Sequence, residues 1–324
     1  METEIKIKYS IITPVYNRAD CIGNCIESVQ KQNGVDYEHI IVDDGSTDAT
    51  GEILKEYEKH DSHIRVISFS RNKGVNSARN VAISVATGLY TILLDSDDCF
   101  SETALNNINS VVSKNDYIHY CFATDDMLEK YNNNELLSGK KFVLLKYEDF
   151  LLGKLWGDYV HVVRTKTLKE NPFDDQLKIY EGLFFMKYYK VAKVILFSNI
   201  VCTYRERGRS DSVTKDVLKT NNEVIKKSIR ANELFLRWFS NDLLNIEDGK
   251  TIITKKSKEL FEDYLSLGNY DKSMQILKSI GSNGGKITFI FYLIYKFRLG
   301  RAFFYFKATY LYIRYKLFNR RMAI

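Results

Sequence analysis

Short apolar runs alternate with longer amphipathic segments through the first hundred residues of the chain. The apolar runs have the length of buried β-strands, and the segments between them repeat hydrophobic residues at helical spacing. The predicted strands cover residues 9–13, 37–43, 64–68 and 90–94, and the predicted helices cover residues 20–32, 48–60 and 75–87. Because strands that alternate with helices usually pair in parallel, the pattern predicts an α/β fold built on a mostly parallel sheet.

Polar residues follow each of the four predicted strands. Open parallel sheets bind their ligands outside the carboxyl ends of the strands. The residues concerned are Thr13, Pro14 and Tyr16 after the first strand, Asp43 and Asp44 after the second, Arg71, Lys73 and then Arg79 after the third, and Asp95, Ser96, Asp97 and Asp98 after the fourth. Four such loops in succession predict a ligand site at one edge of the sheet.

The carboxylates of Asp95, Asp97 and Asp98 are the most distinctive part of this edge. Like charges this close repel one another unless a cation lies among them. Carboxylate oxygens suit Mg²⁺ or Mn²⁺, which shares its remaining positions with waters and phosphate oxygens. An acidic turn that closes a strand is the alternative interpretation.

The other side chains of the edge fit a nucleotide. Tyr16 can stack on a base, and Asp43 or Asp44 can accept hydrogen bonds from the base or ribose. The cations that can offset phosphate charge are Arg71, Lys73 and Arg79. No Gly-x-Gly-x-x-Gly follows the first strand and no Gly-Lys-[Ser/Thr] loop occurs, which excludes dinucleotide-binding and P-loop motifs.

Four motifs in this stretch resemble the nucleotide-sugar-binding half of family 2, inverting glycosyltransferases with a GT-A fold. They are Ser-Ile-Ile-Thr-Pro-Val-Tyr-Asn, Ile-Ile-Val-Asp-Asp-Gly-Ser-Thr-Asp, Asn-Lys-Gly-Val-Asn-Ser-Ala-Arg-Asn and Leu-Asp-Ser-Asp-Asp. The resemblance implies a Rossmann-like sheet flanked by helices. It further implies that Tyr16 and Asp43 hold the base and that Asp95 and Asp97 form an Asp-x-Asp element at the ribose and metal. The implied donor is a nucleotide sugar, most often a UDP-sugar, for a hexosyl- or N-acetylhexosaminyltransferase.

Residues 101–215 are the expected acceptor half of a glycosyltransferase domain that covers residues 1–215. Residues 173–185 resemble the second signature of the family, which usually ends in Glu-Asp with the Asp as general base, but Gly182 stands where that Asp is expected. Glu181 is the first candidate for the base, and the alternatives are Asp158, Asp174 and Asp175. In the competing interpretation, Glu181 only begins a helix, where a carboxylate complements the helix dipole, and it has no catalytic role.

A basic run follows the last predicted strand, residues 191–204. The resemblance implies a loop here that closes over the ligands, where a cation can stabilise the leaving diphosphate. The candidates are Arg205, Arg207 and Arg209. A solvated basic turn is the alternative.

Residues 216–324 have helical spacing and lie beyond the family resemblance. Residues 255–267 and 271–280 predict a helical hairpin that turns at Gly268 and Asn269 and resembles one tetratricopeptide turn, without a second copy in the sequence. From residue 286 onward aromatic residues interleave with Lys and Arg, and no acidic residue follows Asp271. This tail predicts contact with an anionic membrane surface, and the alternative is a helix pair packed on the catalytic domain.

The composition of the chain indicates its structural class and its expected cellular location. The chain has 324 residues, 45% of them hydrophobic and 27% charged, a net charge of +6, and five cysteines without paired spacing. These features predict a globular cytoplasmic protein, since no leader sequence and no apolar run long enough to span a membrane are found. The protein is expected to be peripheral at the inner face of the cell membrane and to have no nucleic-acid partner. The expected acceptor is a cell-surface glycan or a lipid-linked saccharide. The alternatives are a non-catalytic nucleotide-sugar-binding or scaffold protein, which Gly182 suggests, and a nucleotidyltransferase.

Overall fold

The computed structural model describes residues 8–155, 157–175, 180–205, 222–282, 285–287, 289–306 and 309–310, with the backbone alone at Arg205 and Ser282. The chain divides into two compact units, Met1–Arg209 and Ser210–Ile324. The described part of the first unit is α/β, and that of the second is helical. No helix in the described ranges is both long enough and apolar enough to span a bilayer.

Nine strands form one sheet within the described part of the first unit. They are β1 (Lys8–Val15), β2 (Asp36–Asp43), β3 (Ile64–Ser68), β4 (Tyr90–Leu93), β5 (Asp98–Phe100), β6 (His119–Thr124), β7 (Phe142–Lys146), β8 (Val160–Arg164) and β9 (Val194–Arg205). Their order is β3-β2-β1-β4-β8-β6-β9-β5, and β7 pairs with β9. The first four strands pair in parallel, as does β6 with β9, whereas β8 is antiparallel to β4 and β6. The predicted α/β fold is confirmed.

The helices of the first unit cover the sheet through faces spaced at helical intervals. They are α1 (Ile22–Gln30), α2 (Thr50–His60), α3 (Val75–Val85), α4 (Ala104–Val112), α5 (Leu128–Asn132), α6 (Tyr147–Leu151), α7 (Thr165–Glu170) and α8 (Glu181–Ala192). α1, for example, buries Ile22, Cys25, Ile26 and Val29, the spacing of one helix face. Their packing holds the carboxyl ends of the strands, and so the predicted ligand edge, in place.

One hydrophobic core runs beneath both halves of the sheet. Ile11, Ile41 and Ile92 of the parallel strands belong to the same buried cluster as Tyr120 and Val162 of the second half. α8 begins at Glu181, so this residue lies in the first turn of the helix, as one of the two interpretations of the sequence predicts.

The described part of the second unit contains α9 (Asn222–Leu244), α10 (Gly249–Ser266), α11 (Tyr270–Ser282), α12 (Phe289–Lys296) and a helical segment at residues 300–306. The predicted hairpin turn between α10 and α11 is present. Gly268 adopts a left-handed φ of 73° there, a conformation that favours glycine.

A second helical hairpin follows the first, contrary to the expectation of a single copy. Its turn lies between α12 and residues 300–306 and places Arg298 in the left-handed region, at φ 54°. The Tyr270 hydroxyl donates to the Arg298 carbonyl oxygen, and the Gly300 N–H donates to the Tyr270 hydroxyl at 3.3 Å, so the two turns contact each other. Arginine stands at the position that glycine holds in the first turn, so the sequence shows no second copy of that turn, although a helix pair is the stated alternative for this tail.

Candidate active site

A cavity of about 200 Å³ in the first unit is lined by residues of both halves of the sheet. Its charged lining residues are Arg79, Asp95, Asp98, Asp158 and Glu181, and Gly182 lies among them. All five charged residues are named in the sequence analysis, either at the predicted ligand edge or as candidate bases, and the structure brings them together from distant parts of the sequence. A wider groove of about 610 Å³ lies along α10 in the second unit, and no predicted site residue lines it.

Arg79 of α3 connects the two halves of the site. Its side chain is buried, and its two terminal nitrogens donate to Asp95 Oδ1 at 2.8 Å and to Glu181 Oε2. Burial works against the charged guanidinium, but the carboxylates of Glu181 and Asp95 outweigh it, so the pKa of Arg79 is raised further above its usual value. Arg79 was predicted to offset phosphate charge; here its described partners are the two carboxylates.

Glu181 is the first residue of α8 and remains reachable. Its side chain is 37% exposed, and Oε1 has no hydrogen-bond partner among the described residues. Burial raises the pKa of this carboxyl above its usual range, although Arg79 acts in the opposite direction. A carboxylate with a raised pKa is a stronger base than an ordinary glutamate. Glu181 therefore both starts the helix and presents a basic oxygen to the cavity.

Gly182 leaves open space at the position of the usual family aspartate. A Cβ built on Gly182 meets no atom of the described residues within 4 Å, and the φ of Gly182 lies outside the left-handed region. The glycine is therefore not required by packing or by backbone conformation.

The alternative bases are placed differently. Asp158 lines the cavity, and its carbonyl oxygen accepts a hydrogen bond from the Tyr131 hydroxyl. Asp174 and Asp175 are not among the residues that line the cavity; the Asp174 carbonyl oxygen accepts from Asn76 Nδ2 at 2.8 Å, and Asp175 Oδ1 lies 3.5 Å from Asn80 Nδ2. Asp158 is thus the alternative that shares a cavity with Glu181.

The acidic turn between β4 and β5 is where a divalent cation is expected from the sequence. Asp95, Asp98, Asp158 and Glu181 line the cavity together with Arg79, which contacts Asp95 and Glu181. The Asp95 side chain is 43% exposed, and Asp97 lies between it and Asp98 in the same turn. Carboxylate oxygens are ligands that suit Mg²⁺ or Mn²⁺.

The loops after β2 and β3 are joined by a buried carboxylate. Asp44 accepts the N–H groups of Lys73 and Gly74 at 2.6 and 2.8 Å. Gly45, at φ 73°, lies so close to the next loop that a Cβ would be 2.5 Å from the Arg71 carbonyl carbon. Asp44, predicted to contact the nucleotide, thus positions the basic loop.

The residues predicted to hold the base lie at the ends of β1 and β2. Tyr16 is 41% exposed just after β1. Asp43 is almost buried, and its Oδ1 accepts the Ser46 N–H at 2.9 Å. Neither residue lines the 200 Å³ cavity.

The remaining predicted residues of this edge vary in exposure. The Thr13 hydroxyl lies 2.9 Å from His39 Nε2 and is fully buried, and Pro14 and Ser96 are buried as well. Arg71 is exposed, and the Lys73 ammonium lies 4.4 Å from the centre of the Phe69 ring. The two cations therefore remain at the surface of this edge.

The predicted basic loop lies mostly outside the described residues. Arg207 and Arg209 are among the residues that are not described. Arg205 ends β9, where its backbone pairs with Asp98. This register brings the start of the basic run beside the acidic turn.

A buried group of ligating side chains beside the cavity was not anticipated from the sequence. His119 and Cys121 lie on β6, His161 is opposite Cys121 on β8, and His119 Nε2 lies 3.0 Å from His161 Nδ1. Burial lowers the pKa of His119 to about 3 and raises that of Cys121. These nitrogen and sulfur atoms do not suit Mg²⁺. The one signal for this group in the sequence was that His119 and Cys121 stand two residues apart, which places them on the same face of β6.

Comparison with known proteins identifies the domain that carries this site. The profile of Glycosyl transferase family 2 matches residues 10–167. Glycosyltransferase GlyG of Streptococcus pneumoniae serotype 4 is 32% identical over 146 residues, which are 45% of this chain and 46% of GlyG. A Campylobacter jejuni protein named GalNAc(5)-diNAcBac-PP-undecaprenol beta-1,3-glucosyltransferase is 28% identical over 64% of this chain and 67% of that protein. The chain thus spans less than half the length of GlyG.

Solved structures agree on the fold. Staphylococcus aureus TarS, residues 1–349, in complex with UDP-GlcNAc, has a TM-score of 0.63 at 19% sequence identity, over 86% of this chain and 81% of the TarS chain. At this level of identity the similarity establishes the fold alone. Together with the family match, it shows that residues 10–167 form a family 2 glycosyltransferase domain and that the chain carries a GT-A fold.

Proposed function

We propose that this protein is an inverting glycosyltransferase that moves a hexosyl or N-acetylhexosaminyl group from a UDP-sugar to an acceptor hydroxyl. The observation that supports this most strongly is the cavity shared by Asp95, Asp158 and Glu181 around Arg79. One side of it is the acidic turn expected at the donor diphosphate. The other side carries carboxylates that can take a proton.

Glu181 is the proposed general base. Its Oε1 accepts the proton of the acceptor hydroxyl while the hydroxyl oxygen forms a bond to C1 of the sugar. The bond between C1 and the diphosphate oxygen breaks, its electron pair leaves with the nucleoside diphosphate, and the configuration at C1 inverts. A positioned base of this kind contributes about 10²- to 10⁴-fold in rate. Arg79 keeps the carboxylate oriented and ionised.

Asp95 and Asp97 are the proposed ligands of Mg²⁺ or Mn²⁺. The ion, when bound, would offset the charge of the diphosphate. Tyr16 and Asp43 are proposed to hold the base of the nucleotide, and Arg71, Lys73 and the arginines at 205, 207 and 209 are candidates for contact with its phosphates.

The proposed acceptor is a cell-surface glycan or a lipid-linked saccharide. The C. jejuni relative is named for an undecaprenol-linked acceptor, which supports the lipid-linked alternative. A cytoplasmic location at the inner face of the membrane, where such carriers are glycosylated, is part of this proposal.

A donor screen tests the proposal. The protein is incubated with UDP-glucose, UDP-galactose, UDP-GlcNAc and UDP-GalNAc, with and without Mn²⁺, and release of UDP is measured. We expect metal-dependent UDP release with one donor. Metal-dependent binding without turnover would favour the non-catalytic binding protein that Gly182 suggests, and release of pyrophosphate from a nucleoside triphosphate would favour a nucleotidyltransferase.

A further inference from the structure

The last described helices of the chain are apolar on two sides. Their inner side is part of the core of the second unit, where Ile294 packs with Phe261 and Leu265, and Phe304 packs with Leu260. The same helices also expose five large apolar side chains, together called the outer aromatic face: Phe289, Ile290, Phe297, Tyr305 and Phe306, each of which is 61% exposed or more. Exposed apolar groups concentrated in this way mark an interaction surface.

Exposed cations occur in the same helices as the outer aromatic face, and carboxylates are absent from this part of the sequence. Lys296, Arg298 and Arg301 are exposed within the same helices. No Asp or Glu occurs after Asp271 anywhere in the sequence. The partner of this face must therefore offer apolar surface and negative charge together.

We propose that the outer aromatic face docks on the surface of an anionic lipid bilayer. The aromatic side chains enter the boundary between headgroups and acyl chains, and Lys296 and Arg301 contact lipid phosphates. α12 has eight residues, so it lies along the surface. A second copy of this face would bring like charges together, and a nucleic acid would leave the outer aromatic residues in water. The inference deepens the membrane location that is part of the proposed function, and it does not depend on the proposed catalysis.

Vesicle binding by the full chain tests this inference. Vesicles of phosphatidylcholine alone are compared with vesicles that also contain phosphatidylglycerol, and bound protein is measured by flotation. We expect binding to the anionic vesicles that weakens with salt. The triple variant Phe289→Gln, Phe297→Gln, Phe306→Gln should lose about 10²-fold in partition or more. Lys296→Gln and Arg301→Gln should each lose about fivefold.

A matched control separates the outer aromatic face from general surface hydrophobicity. The variant Phe142→Gln, Leu144→Gln, Val191→Gln removes three exposed apolar side chains from the first unit and should bind vesicles as the wild type does. Because every substituted aromatic residue points outward, thermal unfolding of the triple variant should match that of the wild type.

Three outcomes would overturn the inference. The first is no binding to anionic vesicles, or equal binding to neutral ones. The second is equal loss of binding in the control and in the triple variant. The third is a concentration-dependent dimer that the triple variant abolishes, which would assign the outer aromatic face to a second copy of the chain.

Discussion

The two halves of the α/β unit hold their site residues in different ways. In the first half, carboxylates bind backbone N–H groups of nearby loops, as Asp44 does with Lys73 and Gly74. In the second half, Glu181 is held by the side chain of Arg79, which belongs to the first half. The donor side is thus fixed by its own loops, whereas the proposed base depends on a contact between the halves. Changes to the donor side should therefore affect binding and stability, and changes at Glu181 should affect turnover.

The largest effect is expected for the proposed metal ligand. Asp97→Ala should abolish metal-dependent UDP binding and lower kcat/KM by about 10³-fold, because a catalytic metal ion contributes several kcal/mol of charge stabilisation. Calorimetric titration of UDP with and without Mn²⁺ measures this. Glu170→Ala, which changes an exposed acidic residue of α7, is the control. Unchanged UDP affinity in Asp97→Ala would remove the metal assignment.

A smaller effect is expected from replacing Asp44, which joins the loops after β2 and β3. Asp44→Ala leaves the N–H groups of Lys73 and Gly74 without their acceptor, and this should lower the free energy of unfolding by about 3 kcal/mol. The KM for the donor should rise while kcat changes little, since Asp44 positions a loop and does not touch the reacting atoms. Urea unfolding and donor kinetics measure the two effects. A lower kcat at unchanged KM would contradict this role.

The smallest expected effect is on the pH dependence of the free energy of unfolding, to which one buried histidine in each half contributes. Burial lowers the pKa of His39 in β2 and of His119 in β6 to about 3, although Asp61 acts in the opposite direction on His39. A histidine with a lowered pKa stabilises the fold above its unfolded pKa of about 6.5 and loses that contribution as the pH falls toward 3. Between pH 7.5 and 5 each should therefore lose about 2 kcal/mol.

Urea unfolding at the two pH values measures this loss. His39→Gln and His119→Gln should each remove about 2 kcal/mol of the pH dependence. Identical pH dependence in the wild type and in both variants would show that neither histidine carries it.

The sequence predicted the donor half better than the acceptor half. The strand predicted at residues 90–94 is β4 at Tyr90–Leu93, and the parallel order follows from strand-helix alternation. β5, β7 and β8 were not predicted, because short strands of mixed direction leave no such alternation. The contact between Arg79 and Glu181 could not be predicted either, since the pairing of distant charges depends on how the two halves pack.

The most direct test of the proposed mechanism combines substitutions of Glu181 and Gly182, the first two residues of α8. Glu181→Gln should lower kcat/KM by about 10²-fold or more and remove the acidic limb of its pH profile, because burial raises the pKa of this carboxyl. Adding Gly182→Asp should restore part of the activity, since Gly182 has open space around a built Cβ. Gly182→Asp alone, with unchanged thermal unfolding, is the control for folding. Full turnover in Glu181→Gln, with its acidic limb intact, would contradict the assignment of Glu181 as the base.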